Sequence, residues 1–312
     1  MGAGGMRTGW LTNDILTAIP GTKTLWHDLL SWLPGLQWVG YDYNRLADAV
    51  DRELGRGRPD YIIRNATWVR PFAAGVPTIA LLQDIMPEDS PARTMQVEVC
   101  PGAALTVFNS QYTRSRYPEL ADCRSVIIPL PVDFDRFQPD QLAPKSFDVC
   151  WVGARTNVKG YDRLVSLIRA MPELKWLVVL KEQTVPPEYP NVTFRSMVGH
   201  ADLPEVYSSA RIGLCTSREE TQHLAGIEMA GCGLPVVATN VGAYYSDVLG
   251  WNGWRATCKP ADLAPTIRWV LEHISVGGEN RARVRLNVME AGFTPAACRA
   301  AWENAVETVC SQ

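Results

Sequence analysis

The stretch RIGLCTSREETQHLAGIEMAGCGLPVVATN, residues 211–240, reads as strand, turn, helix and strand. "RIGLCTS" is an apolar run of strand length, "REETQH" a polar turn, and a short apolar helix begins near Leu224. Gly231 and Gly233 are natural helix stops, and "LPVVAT" is the next strand. Around the turn and helix stand three carboxylates, Glu219, Glu220 and Glu228. Glu219 and Glu220 fit as ordinary negative charges at a helix start. Glu228 lies between Ile227 and Met229, where an unpaired buried charge would be costly. The same arrangement suits a ligand rich in hydroxyls and phosphate. A carboxylate accepts from neighbouring hydroxyls, and the free N–H groups at a helix N-terminus attract phosphate oxygens.

The strand–helix rhythm continues outward in both directions and argues for parallel sheets with crossover helices. First-half strands are read at "TGWL", "LQWVGY", "DYIIRN", "TIALLQD", "ALTVFN" and "SVIIPL", with a helix at "TKTLWHDLLSWL". The passage "PLPVDFDRFQPDQLAPKS" reads as an extended linker, because proline lacks a donor and biases its predecessor away from helix. Further strands follow at "FDVCWVG", "KWLVVL", "VTFRS", "IGLCTS" and "PVVATN". The expected fold is two doubly wound α/β domains, residues 1–143 and 144–312, with the last helix free to cross back to the first. Ligands of such sheets bind beyond the carboxyl ends of the strands.

Composition narrows the partners. The chain has 312 residues, 46% hydrophobic and 20% charged, with a net charge of −3 and no long Lys/Arg run, which speaks against nucleic acid. No apolar run reaches the roughly 18 residues of a spanning helix. The N-terminus lacks the apolar core of a signal peptide, and Met6 spoils a lipidation context for Gly2. A cytoplasmic location is therefore expected. The 8 cysteines are scattered without a C-x-x-C pair and read as buried thiols rather than metal ligands.

The strand "DVCWVG" ends at Gly153, where a glycine lets a backbone come close, and Arg155 and Lys159 follow in the turn. Two cations there would clamp a diphosphate, and they fit equally as solvated loop residues. "GAGG" at 2–5 precedes its strand and is no dinucleotide fingerprint. "GTKT" at 21–24 lacks P-loop spacing, although Gly21 could let the chain approach a ligand. Asp133 and Asp135 match an Asp-x-Asp metal pattern superficially, and their place in the proline-rich passage favours a structural role. His223, in the Glu turn, is the histidine expected to contact a ligand.

The stretch from Ser217 through Glu220 and Glu228 to Thr239 resembles the Glu-x7-Glu segment of retaining nucleotide-sugar glycosyltransferases, glycosyltransferase family 4, with the GT-B fold. "VGARTNVKG" resembles the family's diphosphate turn. "VFNSQYTRSRY" with "VIIPLPVDFDRFQP" is similar to the segment that ends the family's first domain and enters the linker, "VGHADLPEVYSSARIGLCTS" to the segment leading to the glutamate motif, and "GWNGW" at 250–254 to its later Asn-Gly turn. The resemblance implies two Rossmann-like domains facing across a cleft, the first for the acceptor and the second for a nucleotide-diphospho-sugar donor. Glu228 would hold ribose hydroxyls and Glu220 hydroxyls of the transferred sugar. Arg155 and Lys159 would neutralise the diphosphate, and Met197 and Val198 would lie near the nucleobase. Thr221, Gln222, His223 and Leu224 line the donor turn, where the family commonly has Gly-Phe-Gly after the first glutamate. Gly21 and Asp84 are the acceptor-side candidates; Asp84 fits equally as a turn cap. No metal and no cofactor beyond the donor is expected. Two other functions fit the residues: a sugar-nucleotide-binding or donor-hydrolysing protein on the same scaffold, and a Rossmann oxidoreductase. The second lacks a well-placed Gly-x-Gly-x-x-Gly.

Overall fold

The computed structural model describes residues 7–13, 20–40, 57–65, 75–140, 143–183, 189–274 and 278–311. The chain divides into two compact units, Met1–Leu130 with Ala296–Gln312, and Pro131–Pro295. The sequence reading put the division at 143/144; here it falls at Leu130/Pro131. Side chains of the proline-rich passage explain the position. Phe134 and Phe137 are buried, and Arg285 donates to the carbonyls of Phe134, Phe137 and Gly231 at 2.6, 2.5 and 2.9 Å. The passage is thereby tied to the second unit.

The first unit holds a six-stranded sheet of β1 (Gly9–Asn13), β2 (Leu36–Gly40), β3 (Tyr61–Asn65), β4 (Thr78–Leu82), β5 (Leu105–Phe108) and β6 (Ser125–Ile127), in the order β2-β1-β3-β4-β5-β6. Every pairing is parallel. Strand β4 is buried throughout, as a parallel strand covered on both faces must be. Ile79 and Leu81 point to one apolar cluster, Ala80 and Leu82 to another, so the two-residue period feeds two layers. Helix α1 (Pro20–Trp32) contributes Leu25 and Leu29, one turn apart, to the first layer. Helices α2 (Pro91–Val99) and α3 (Gln111–Ser115) start on serine caps: Ser90 Oγ accepts from Arg93 N–H at 3.2 Å, and Ser110 Oγ from Thr113 N–H at 3.0 Å.

The second unit holds β7 (Phe147–Gly153), β8 (Trp176–Leu180), β9 (Val192–Ser196), β10 (Ala210–Cys215), β11 (Val236–Thr239), β12 (Gly250–Trp251) and β13 (Arg255–Cys258). Its order is β12-β13-β11-β10-β7-β8-β9, parallel except for the β12–β13 hairpin. The helices are α4 (Tyr161–Ala170), α5 (Leu203–Ser208), α6 (Leu224–Gly231), α7 (Leu263–His273) and α8 (Gly278–Val288). In α4 the buried residues are Leu164, Leu167 and Ile168, the apolar stripe of an amphipathic helix facing the sheet. The last helix, α9 (Pro295–Cys310), buries Cys298, Trp302, Ala305, Val306 and Val309, and from Trp302 onward these join the first unit's core. No helix among the described residues is long and apolar enough to cross a membrane.

Strand order locates the site. From β7 the second unit runs outward to β8 and β9, then returns to β10 on β7's other side. That reversal between β7 and β10 is a topological switch point, where the loops after the two strands diverge and leave room for a ligand. These loops carry Arg155–Gly160 and Thr216–His223.

Candidate functional site

The two loops at the switch point are joined by hydrogen bonds. Thr216 Oγ1 donates to Lys159 carbonyl at 2.9 Å and accepts from Trp151 Nε1 at 3.0 Å. Arg163 donates to the carbonyls of Thr216 and Ser217, and Arg218 N–H donates to Val158 carbonyl at 2.8 Å. Gly160 makes the closeness possible. It has φ +65, and a Cβ there would lie 2.0 Å from the Thr216 carbonyl oxygen. Gly153 has a different reason to lack a side chain: a Cβ would meet the Trp151 ring at 2.7 Å.

This junction brings Lys159 to Glu220. Lys159 Nζ lies 2.7 Å from Glu220 Oε1, and Ser217 Oγ donates to the same oxygen at 2.7 Å. Glu220 is only 8% exposed. Burial pushes its pKa up, but His223 and Lys159 together with the two hydrogen bonds outweigh burial and hold it below the usual carboxylate range. Burial, with Lys159 adding to it, drives His223 down to about 4, so this imidazole is neutral at pH 7. Lys159 is then the cation that faces Glu220 at neutral pH.

His223 sits immediately before α6 with φ 66 and ψ 66, the left-handed region that a residue with a side chain seldom occupies. Its Nδ1 is 2.6 Å from the Tyr244 hydroxyl. Gln222 is buried, and its carbonyl accepts from Ala243 N–H at 3.0 Å; Thr221 is half-buried and Leu224 opens the helix. Gly242, with φ +58, lets this turn pack: a Cβ there would lie 3.0 Å from Gln222 backbone and Glu220 Cβ.

Glu228 on α6 is also buried, 7% exposed, and its two oxygens have separate partners. The Tyr207 hydroxyl donates to Oε2 at 3.0 Å, and His200 Nε2 lies 3.0 Å from Oε1. His200 Nδ1 is 3.1 Å from Arg136 Nη1. A guanidinium only donates, so Nδ1 accepts and Nε2–H donates to Glu228. The hydrogen bond to Glu228 raises the His200 pKa.

The other expected residues scatter. Arg155 is exposed, and the contact it makes here is its backbone N–H donating to Glu182 Oε1 at 2.8 Å. Met197 and Val198 lie just beyond β9; Met197 is 61% exposed with φ 53. Asp133 Oδ1 accepts from the N–H groups of Asp135 and Arg136 at 3.1 Å, the pattern of a turn. In the first unit Gly21 lies in the first turn of α1 and Asp84 just beyond β4. Burial raises the Asp84 carboxyl pKa, and its carbonyl accepts from the Tyr117 hydroxyl at 2.9 Å. Sequence reasoning did not assign Ser217, His200, Tyr207 or Tyr244. It also read Cys215 as a plain buried thiol, whereas Cys215, Glu220 and His223 place a sulfur, a carboxylate oxygen and an imidazole nitrogen within 4.8 Å of one another.

Two parallel-sheet α/β units, the second with this loop junction at its switch point, define the GT-B fold. Residues 146–273, most of the second unit, match the family of glycosyl transferases group 1. No curated protein matches the chain. Among solved structures, a sucrose-phosphate synthase from Thermosynechococcus elongatus is similar over 98% of this chain and 99% of its own, with a TM-score of 0.77 and 15% identity. Anabaena Alr3699/HepE in complex with UDP and glucose is similar over 97% and 100%, with a TM-score of 0.69 and 14% identity. A trehalose-6-phosphate synthase covers 96% and 99%, with a TM-score of 0.72 and 10% identity.

Proposed function

We propose that the protein is a retaining, metal-independent glycosyltransferase that moves a sugar from a nucleotide-diphospho-sugar to an acceptor hydroxyl. The observation that carries this reading is the cluster of buried Glu220 and Ser217 with half-buried Lys159, at the switch point of the unit that matches glycosyl transferases group 1. A buried carboxylate kept ionised accepts hydrogen bonds from sugar hydroxyls. The adjoining ammonium balances its charge and also faces the leaving group.

In this reading the second unit holds the donor. Glu228 takes the ribose hydroxyls, with Tyr207 and His200 fixing the carboxylate. Glu220 takes hydroxyls of the transferred sugar, beside Thr221, Gln222, His223 and the start of α6 at Leu224. Lys159, joined by Arg155 from its exposed loop, stabilises the negative charge that develops on the diphosphate as the glycosidic bond breaks. A diphosphate oxygen accepts the proton of the acceptor hydroxyl as the acceptor oxygen bonds to the anomeric carbon on the face from which the diphosphate leaves. Met197 and Val198 offer apolar surface to the nucleobase. The acceptor belongs to the first unit, at Gly21 and Asp84.

The decisive experiment incubates the protein with nucleotide-sugars, ranks them by thermal shift, and follows transfer and hydrolysis of the best binder with and without candidate acceptors. Activity in EDTA is expected. Loss in EDTA restored by Mn2+ would overturn metal independence. A second reading, a donor-binding or donor-hydrolysing protein, is favoured by one observation: the His223 imidazole is buried against Tyr244 in the turn where the resembled family carries glycines. Tight donor binding with no transfer to any acceptor would select it.

A further inference from the structure

The nine residues from Cys215 to His223 contain a donor set of which the proposed transfer reaction uses Glu220 and leaves the Cys215 thiol without a role. Cys215 closes β10, Glu220 lies in the turn, and His223 precedes α6. Their ligand atoms lie within 4.8 Å of one another. Sulfur, carboxylate oxygen and imidazole nitrogen together are the donors of zinc-type cations, whereas hard cations such as Mg2+ take oxygen alone. Zinc bonds of about 2.0–2.3 Å let three such atoms share one ion.

The surroundings already orient the set. His223 Nδ1 is held by the Tyr244 hydroxyl at 2.6 Å, which leaves Nε2 as the nitrogen for a metal and fixes the ring, as outer partners of metal-binding histidines do. Both Cys215 and Glu220 are buried, so water competes little for the position. What holds a cation's place now is the Lys159 ammonium, 2.7 Å from Glu220 on a side chain that is 32% exposed and can swing outward.

We propose that Cys215, Glu220 and His223 form a site for Zn2+ or a similar borderline-soft divalent cation, and that filling it shuts the donor-sugar position. The metal would displace Lys159 from Glu220, and the Cys215 thiol would release its proton to solvent as sulfur becomes a ligand. Glu220 cannot serve the metal and sugar hydroxyls together, so the two ligands exclude each other. The inhibitory part rests on the proposed function; the binding part does not.

The binding test uses the full-length protein titrated with Co2+ and Zn2+. A thiolate-to-Co2+ charge-transfer band, one equivalent displaced by Zn2+, is expected. Cys215→Ala should remove the band and weaken Zn2+ binding at least tenfold, with Cys215→Ser, which keeps the shape of the site, as the check should the alanine variant misfold. Lys159→Met should tighten Zn2+ binding severalfold, because it removes the competing cation; a merely structural lysine would not have that effect. An unchanged band in Cys215→Ala or Cys215→Ser, or weaker Zn2+ binding in Lys159→Met, would overturn the site. In the activity test, micromolar Zn2+ should inhibit wild-type turnover reversibly with EDTA and leave Cys215→Ala turnover unaffected. Equal inhibition of both would overturn the exclusion. A protein that shows the band and never turns over a donor would keep the metal site and sink the transferase reading.

Discussion

The turn at Glu220 and the helix face at Glu228 hold two buried carboxylates in one short segment, by different means. Glu220 is compensated by a formal charge, the Lys159 ammonium, with a hydroxyl beside it. Glu228 is compensated by hydrogen-bond donors, the buried Tyr207 hydroxyl and an imidazole whose second nitrogen accepts from Arg136. An ammonium that can leave its partner suits a place where charge appears during a reaction. A buried hydroxyl that stays with its partner, as Tyr207 does, suits a place that only has to hold its shape. On the proposed function, the difference predicts that Glu220 acts in turnover and Glu228 in nucleotide affinity.

The strongest test of that division is Glu220→Ala. It should lower turnover by about two to three orders of magnitude, as loss of a transition-state contact does, while nucleotide affinity by calorimetry changes little. A collapse in affinity with turnover of bound donor intact would reverse the assignment. Glu228→Ala should do the opposite, weakening nucleotide binding by roughly 10- to 100-fold, the range for losing hydrogen bonds to a charged group. Unaltered affinity would remove its ribose role. Tyr207→Phe leaves Oε2 of a buried carboxylate without its donor. It should destabilise the protein by about 1–3 kcal/mol in urea unfolding, with a smaller loss of nucleotide affinity; wild-type stability would mean that Glu228 is held by other contacts.

The subtlest test uses pH. His223, at about 4 in the folded chain, lies below the ordinary imidazole value of 6.5. The unfolded chain therefore binds this proton first as pH falls, and the stability from neutral His223 declines between about 6.5 and 4. His200 is raised, so its contribution is present below 6.5 and lost as pH rises through the raised value. Imidazole titration by NMR should place the two on opposite sides of 6.5. Finding both on the same side would break the contrast.

The strands of both sheets other than β12 and β13 were legible because buried parallel strands are short apolar runs with polar ends; "TIALL" and "WLVVL" are buried at every position. The start of α6 at Leu224 was legible from the turn before it. The β12–β13 hairpin was not read as strands: β12 is two residues long and "RATC" has no apolar run, and its sequence sign is the Asn252-Gly253 turn, where Asn252 Oδ1 accepts from Arg255 N–H at 3.1 Å and Asn252 N–H donates to the Arg255 carbonyl at 3.0 Å. In the site, Glu220, Glu228 and Lys159 stood out by spacing and charge. Their partners did not, because His200 and Tyr207 lie 28 and 21 residues from Glu228 and meet it only once α5 and the β9 end are folded beside α6. Arg155 shows the converse. Its charge and place in the loop drew attention, yet the switch-point geometry brings Lys159 to the carboxylate instead.

The helix that carries Trp302 has a consequence for biosynthesis. The second unit is one uninterrupted length of chain, complete once Pro295 has been made. The first unit lacks part of its core until Ala296–Gln312 follow, so a nascent protein that stalls before Trp302 exposes its earliest-made half to aggregation.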